Sequence, residues 1–180
     1  AHPRPSSLVA GTMSSRMAKS AMTATTLTET VARIIAPNSP NSIVDNNTVS
    51  DFIGHGIYLD VTAGSAITSN TVISLPVVQS GLYGITAHQA KAVGQNTIDF
   101  SSTEWNIYPL RSSHVQDSIF SNVISAQSSK GSADHIHLIE SSDSKISQND
   151  LTYINGGGSC CNNDVIGVYS HNSEITGNTI

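Results

Sequence analysis

Asp134 and Asp164 are the strongest candidates in this sequence for acid and base chemistry. Each stands just before an apolar stretch, at equivalent positions in two successive segments of similar pattern. If those segments are neighbouring parallel strands, the two carboxyl groups lie about 5 Å apart. Two carboxylates that close raise one pKa by repulsion, and retaining glycosidases use about that separation. Three roles are therefore open for the pair: acid and base catalysis, calcium binding through oxygen ligands, or capping of turns at the strand edge.

Glu104 is the third candidate catalytic acid, and it precedes Trp105, the only tryptophan of the chain. An indole face can stack on the apolar face of a sugar ring while the neighbouring carboxylate bonds sugar hydroxyls. The alternative is that Trp105 simply fills a turn.

His135 and His137 are two residues apart in an apolar segment, so their Cα atoms lie roughly 6 to 7 Å apart on one face of a strand. That spacing suits a metal ion, an acid and base pair, or two solvated side chains. No third histidine or cysteine is evidently placed to complete a zinc site. We therefore predict no metal and no cofactor, and Ca²⁺ is an option that no motif supports.

Arg111 is the candidate for orienting an acidic sugar through two parallel hydrogen bonds, or for acting as a base in a lyase. Tyr58 and Tyr169 complete the predicted substrate-binding set with Trp105, Arg111, His135 and His137. Counting along the chain assigns Tyr58 and His137 to one outward column with Gly84 and Pro109. Arg111 and Tyr169 fall in the neighbouring column.

The elements that position these residues follow from a phrase, aliphatic-x-x-Asn-x-aliphatic, that is written six times along the chain. Its asparagines are 23, 26, 26, 27 and 29 residues apart. Each interval contains a second apolar segment, expected to alternate inward and outward as strands do. The intervals are too rich in Ser, Gly and Asn for helical crossovers. The asparagines are Asn47, Asn70, Asn96, Asn122, Asn149 and Asn178.

This pattern predicts coils stacked on one another, with aliphatic rows inside and strands pairing between coils. The asparagines are expected at sharp turns in left-handed backbone conformation, with their amides bonded up the stack. Phrases such as residues 173 to 180 (SEITGNTI) resemble the right-handed parallel β-helix repeats of the pectate-lyase-like superfamily. The resemblance implies an all-β, single-stranded parallel β-helix of about five to six coils. It covers a wide class: polysaccharide lyases, glycoside hydrolases, epimerases, trimeric phage tailspikes and non-catalytic adhesins.

The composition excludes several other classes of protein. The 180 residues carry a net charge of −5 and only 8 Lys and Arg, so the basic surface required for nucleic acid or anionic membrane is missing. No apolar run reaches the roughly 20 residues of a membrane span. Cys160 and Cys161 are adjacent and are predicted to be free thiols or one strained bridge.

Three segments are predicted: an arm or linker over residues 1–22, a capping element or preliminary coil over 23–40, and the parallel β-helix over 41–180. In the second segment, residues 31–36 are expected to form a strand or a short cap, with a threonine-rich helix as the alternative. Because the sequence stops within a repeat phrase, we expect either a longer protein or an oligomer, for which a homotrimer is the guess.

The function predicted on these grounds is polysaccharide binding, with hydrolase-like or lyase-like processing, by the outward strand face. The predicted location is extracellular or on a virion surface. The alternative is a structural or adhesive stack without an active site, which the scarcity of clustered acids and aromatics favours. Whether the chain is an enzyme is left open.

Overall fold

A computed structural model of the chain describes residues 33–50, 52, 54–60, 63–74, 82–103, 107–113, 118–128, 136–155 and 165–180. These residues form strands and turns, with no helix among them. In chain order the strands are β1 (Ile34–Pro37), β2 (Ile43–Asp45), β3 (Thr48–Ser50), β4 (His55–Asp60), β5 (Ala66–Thr68), β6 (Thr71–Ile73), β7 (Leu82–His88), β8 (Ala92–Gly94), β9 (Thr97–Thr103), β10 (Ile107–Ser113), β11 (Ser118–Phe120), β12 (Val123–Ser128), β13 (Ile136–Ser142), β14 (Lys145–Ser147), β15 (Asp150–Asn155), β16 (Ile166–His171) and β17 (Glu174–Thr176).

Each turn of the chain contributes one strand to each of three parallel sheets. Sheet 1 has the order β1-β4-β7-β10-β13-β16, sheet 2 the order β17-β14-β11-β8-β5-β2, and sheet 3 the order β15-β12-β9-β6-β3. Every strand therefore pairs with strands one turn away along the sequence. The predicted all-β parallel solenoid is confirmed, although the described residues form about four turns where five to six were expected. Its right-handed sense stays a prediction.

The core consists of aliphatic rows, in which equivalent residues of successive coils pack on one another inside the solenoid. In sheet 2 the central residue of each strand supplies one row, and the register places Val44, Ile67, Val93, Ile119, Ile146 and Ile175 in it. The inner members of this row are fully buried, whereas Ile175 is 49% exposed. Burial of a residue of this size stabilises the fold by about 1.5–3 kcal/mol.

The six repeated asparagines lie between sheets 2 and 3 and form a continuous amide ladder. The side-chain Nδ2 of each asparagine donates to Oδ1 of the next, over 2.8–3.0 Å, and so does each backbone N–H. Nδ2 also donates to an aliphatic residue's carbonyl in the previous coil, as from Asn96 to Ile67. The predicted ladder is confirmed.

The left-handed backbone was expected at these asparagines and is found instead at the residue before each of them, with φ between 52° and 62°. The chain turns at that residue, which lets the asparagine side chain point into the stack. The six left-handed residues are Asn46, Ser69, Gln95, Ser121, Gln148 and Gly177.

β1 adds to the outer edge of sheet 1 in register with β4, pairing Ile34 with Ile57 and Pro37 with Asp60. It overlaps the segment where a preliminary strand was expected. The proposed arm over 1–22 and the thiols of Cys160 and Cys161 lie outside the described residues.

Candidate functional site

Among the described residues, the aromatic, basic and titratable side chains are concentrated on the outer face of sheet 1. Its strands do not simply alternate inward and outward, as the sequence suggested. In β4, Ile57 is buried, while His55 and Tyr58 are both half-buried and their rings meet at 4.9 Å. The residue between His55 and Ile57 is Gly56, which is buried. A kink at this glycine therefore brings two residues three apart in sequence to the same face.

The kink is repeated in three successive strands, at Gly56, Gly84 and Pro109. The paired positions run from His55 to Tyr83 to Tyr108 before the kink, and from Ile57 to Ile85 to Leu110 after it. Irregularities of this kind re-aim side chains and are frequent beside functional sites.

Close packing explains why glycine occupies two of these positions. A Cβ on Gly84 would lie 2.4 Å from the Pro109 carbonyl oxygen and 2.9 Å from the Phe100 ring. A Cβ on Gly56 would lie 2.9 Å from the Gly84 carbonyl oxygen. The missing side chains leave room for Phe100 and Phe52, whose rings fill the interior 5.9 Å apart.

Aromatic rings follow one another along the outer face of sheet 1, and we call them the aromatic row. His55 stacks on Tyr83 at 4.5 Å with an interplanar angle of 11°, and Tyr83 stacks on Tyr108 at 5.1 Å and 12°. The row continues through tilted contacts from Tyr108 to His137 at 5.7 Å and from His137 to Tyr169 at 5.4 Å. Each spacing is close to the distance between paired strands, so the sheet sets the spacing of the rings.

Arg111 lies beside the aromatic row. Its Cζ is 5.6 Å from the centroid of Tyr83, and its Nε is buried without a hydrogen-bond partner. The register places Arg111 in one column with Tyr58, Thr86 and His137. Predicting Arg111 in the neighbouring column, and Gly84 and Pro109 in this one, was wrong, because the number of residues between these strands and the next asparagine varies from coil to coil.

Hydrogen bonds to hydroxyl groups orient the two histidines at one end of this face. Nδ1 of His55 is 2.9 Å from Oγ1 of Thr86, and Nδ1 of His88 bonds Oγ of Ser113. Tyr58 lies between the two imidazoles, with its ring 4.9 Å from His55 and 5.9 Å from His88.

Two titratable side chains on this face, His55 and Tyr58, have shifted pKa values. Burial, followed by the nearby positive charges of Arg111 and His88, lowers the pKa of His55 below its ordinary value of 6.5. Burial raises the pKa of Tyr58 above 10.0, and the Asp60 carboxylate, which accepts a hydrogen bond from the phenol, raises it further, while Arg111 opposes this rise. At neutral pH, therefore, His55 is neutral and Tyr58 keeps its proton.

Of the predicted site residues, Tyr58, Arg111, His137 and Tyr169 are brought together on this one face. The predicted catalytic acids Asp134, Asp164 and Glu104, together with Trp105 and His135, lie outside the described residues. Among the residues that the structure does describe, no group of three or more His, Cys, Asp and Glu side chains is placed to hold a metal ion.

Sequence reasoning missed His55, Tyr83 and Tyr108, although a signal for them exists. Each begins the same triplet of an aromatic ring, a glycine or proline, and an aliphatic residue: His55-Gly56-Ile57, Tyr83-Gly84-Ile85 and Tyr108-Pro109-Leu110. The triplet therefore indicates both the position of the kink and the aromatic ring that the kink turns outward.

Comparisons with known proteins add no relative: no protein-family description, curated protein or solved structure matches this chain. No helix within the described ranges is long and apolar enough to cross a membrane.

Proposed function

We propose that this protein binds a polysaccharide along the outer face of sheet 1. The observation that carries the proposal is the aromatic row, with Arg111 beside it. Carbohydrate sites commonly combine aromatic rings with a few placed polar groups, because a sugar presents both apolar C–H faces and hydroxyl groups.

The shape of the row favours an extended ligand over a small one. From His55 to Tyr169 it crosses five paired strands, a distance of about 20 Å at roughly 4.8 Å per strand. A polymer that runs parallel to the solenoid axis can contact every ring, whereas a single sugar reaches one or two.

Ring orientation defines how such a polymer is held. The faces of His55, Tyr83 and Tyr108 are turned towards one another, so the ring edges and tyrosine hydroxyls face the ligand. Tyr169 is 56% exposed and is the ring best placed for face-to-face stacking on a sugar. We therefore assign hydrogen bonding to the middle of the row and stacking to Tyr169.

The resemblance to the pectate-lyase-like superfamily supports a polysaccharide ligand by analogy, since fold alone does not decide function. An extracellular or virion-surface location and a homotrimer belong to the same proposal. Processing by acid and base catalysis would use Asp134, Asp164 or Glu104. Replacing each by its amide is expected to abolish product formation without changing thermal unfolding; turnover retained in all three would remove that part of the proposal.

Binding is tested with a glycan array, followed by titration of the best ligand against Tyr169→Leu. Loss of an exposed stacking ring is expected to weaken binding about tenfold, equivalent to about 1.4 kcal/mol. Phe120→Leu is the matched control, because Phe120 is an aromatic residue on the outer face of sheet 2, where its ring covers Gly94. Equal affinities for the two variants would contradict the assignment to sheet 1.

A structural role for the aromatic row is the second candidate, and the stacked rings favour it. Rings that occupy one another's faces stabilise neighbouring strands by about 0.5–1.5 kcal/mol per pair. In that case Tyr108→Leu lowers the free energy of unfolding, and no glycan binds the wild-type protein.

A further inference from the structure

We propose that Ser113 and His88 form a nucleophile and general-base pair, which hydrolyses esters of small carboxylic acids on the outer face of sheet 1. The observation that carries the proposal is the hydrogen bond between Oγ of Ser113 and Nδ1 of His88. A serine hydroxyl that is hydrogen-bonded to an imidazole is the arrangement that activates serine for attack on a carbonyl carbon.

The sheet holds the two side chains opposite each other. His88 is the last residue of β7 and Ser113 the last residue of β10, and the register pairs them directly. The backbone N–H of Gln89 donates to the carbonyl oxygen of Ser113 at 3.0 Å, which extends the pairing beyond the strand end. The hydroxyl and its base are therefore in place before a substrate binds, as base-assisted attack requires.

Charged groups on both sides of this pair favour the charges that develop during attack. Continuing the register of β4 and β7 by one residue places Asp60 opposite His88. A carboxylate on that side stabilises the imidazolium that forms when His88 accepts a proton. Arg111 precedes Ser113 by two residues on the same face of β10, with their Cα atoms roughly 6 to 7 Å apart. Its positive charge favours the oxygen anion of the tetrahedral intermediate.

Hydrolysis takes place in two steps. First, Oγ of Ser113 attacks the ester carbonyl carbon while Nδ1 of His88 accepts the hydroxyl proton. The bond between that carbon and the alcohol oxygen breaks, and the alcohol leaves with the proton, so the acyl group stays on Ser113. A water molecule then gives a proton to His88 and attacks the acyl carbon, the bond to Oγ breaks, and Oγ takes the proton. One alcohol and one carboxylic acid are released.

The exposure of the nucleophile selects the size of the acyl group. Ser113 is 5% exposed, whereas His88 is half-buried. An acetyl group is small and flat enough to reach a hydroxyl through so narrow an opening, and an aromatic acyl group is not. We therefore assign acetyl esters as the substrate class. The extension to O-acetyl groups on sugar hydroxyls rests on the proposed function.

A second histidine–hydroxyl pair on this face lacks these properties. Nδ1 of His55 lies 2.9 Å from Oγ1 of Thr86. Thr86 is 1% exposed, and its hydroxyl is secondary and more hindered than that of serine. The imidazole of His55 is stacked on Tyr83 at 4.5 Å, so it is fixed against the sheet. Nucleophilic attack is assigned to Ser113 alone.

The test measures covalent labelling by methanesulfonyl fluoride, a small reagent that sulfonylates activated serines, and hydrolysis of 4-nitrophenyl acetate and benzoate. Wild-type protein is expected to carry the label on Ser113 in peptide mass mapping and to hydrolyse the acetate faster than the benzoate. Ser113→Ala is expected to lose the label and the acetate hydrolysis. His88→Gln is expected to slow both by about a hundredfold or more.

Ser125→Ala is the control, because Ser125 is a half-buried serine of β12 in sheet 3; it is expected to be labelled and to hydrolyse the acetate as wild type does. Urea unfolding of each variant shows that the protein compared is folded.

The outcomes separate this inference from the proposed function. A wild-type protein without label on Ser113, or acetate hydrolysis that Ser113→Ala retains, overturns the proposal. Labelling of Ser113 at an unchanged rate in His88→Gln overturns the role of His88 as the base. Neither result affects polysaccharide binding, which the glycan array measures. If no glycan binds and Ser113 is labelled as expected, the ester hydrolysis stands and the proposed function fails.

Discussion

Removal of one inner amide from the asparagine ladder, in Asn122→Ala, is expected to destabilise the solenoid more than any surface substitution. Asn122 is fully buried. Its Nδ2 donates to Oδ1 of Asn149 at 2.9 Å and to the carbonyl oxygen of Val93 at 3.1 Å. Its Oδ1 accepts from the backbone N–H and from Nδ2 of Asn96, both at 3.0 Å.

The magnitude follows from the groups that lose a partner. The variant leaves the Asn96 N–H without its acceptor, removes one bond from the Asn96 amide, and takes one donor from the Val93 carbonyl. A buried polar group without a partner is destabilising by about 1–3 kcal/mol, and part of the loss is recovered by relaxation. We therefore expect the free energy of unfolding to fall by about 3–5 kcal/mol.

Asn47→Ala is the matched control, because it deletes the same atoms at the first step of the ladder. Nδ2 of Asn47 donates to Oδ1 of Asn70 and to the carbonyl of Asp45, and this side chain is half-buried. Its loss is expected to lower the free energy of unfolding by about 1 kcal/mol. Asn122→Asp adds a second comparison, since it keeps the shape of the side chain and removes the donors.

The assay is equilibrium unfolding in urea followed by circular dichroism. The urea midpoints of the variants are compared with that of the wild type, provided that the dependence of the unfolding free energy on urea concentration is unchanged. Equal losses for Asn122→Ala and Asn47→Ala would refute the reasoning, because burial of the ladder would then make no difference. A stable Asn122→Asp variant would show that the shape of the side chain matters and its donors do not.

Three further substitutions test the kink, the turn and the charges. Gly84→Ala forces a Cβ to within 2.4 Å of the Pro109 carbonyl oxygen, so a loss of about 1–3 kcal/mol in urea unfolding is expected. Ser121→Gly relieves the strain of a left-handed backbone conformation with φ of 52°, so the free energy of unfolding is expected to rise by up to about 1–2 kcal/mol. Because the pKa of His55 is lowered in the fold, the unfolded chain binds more protons below about pH 6.5, and stability is expected to decrease as the pH falls through this range. His55→Gln is expected to flatten that part of the pH profile.

Each of these variants has a control in the same chain. The three heavy atoms nearest to a Cβ on Gly94 all belong to the Phe120 ring, which can turn away on the outer surface, so the effect of Gly94→Ala should be smaller than that of Gly84→Ala. Ser125→Gly lies within strand β12 and should destabilise, opposite in sign to Ser121→Gly. His171→Gln alters an exposed histidine; if it flattens the pH profile as much as His55→Gln does, the assignment to His55 is wrong.

The architecture could be predicted from the sequence because each turn of the asparagine ladder is encoded by a short local pattern, and that pattern is repeated along the chain. Each asparagine phrase specifies its own turn and two short strands, and identical phrases at steady spacing can satisfy their hydrogen bonds only on one another. Asn70, Asn96 and Asn122 therefore revealed the stack without any knowledge of long-range contacts.

The composition of the outer face of sheet 1 was decided by the tertiary structure. Between this sheet and the next asparagine the number of residues varies, so counting along the chain misplaced Arg111 by one column. The kink at Gly56 and Gly84 breaks the alternation of strands, and it turns His55 and Tyr83 outward, where a period of two does not place them.

The sequence by itself thus determined that the repeated asparagines and the aliphatic residues beside them lie inside, because the same residue types recur in every coil. The tertiary structure determined which different residues meet outside, since His55, Tyr83 and Arg111 come from three separate coils. Their contacts depend on strand register, and register depends on backbone pairing across the whole sheet. Ring stacking and the lowered pKa of His55 exist only once that pairing has formed.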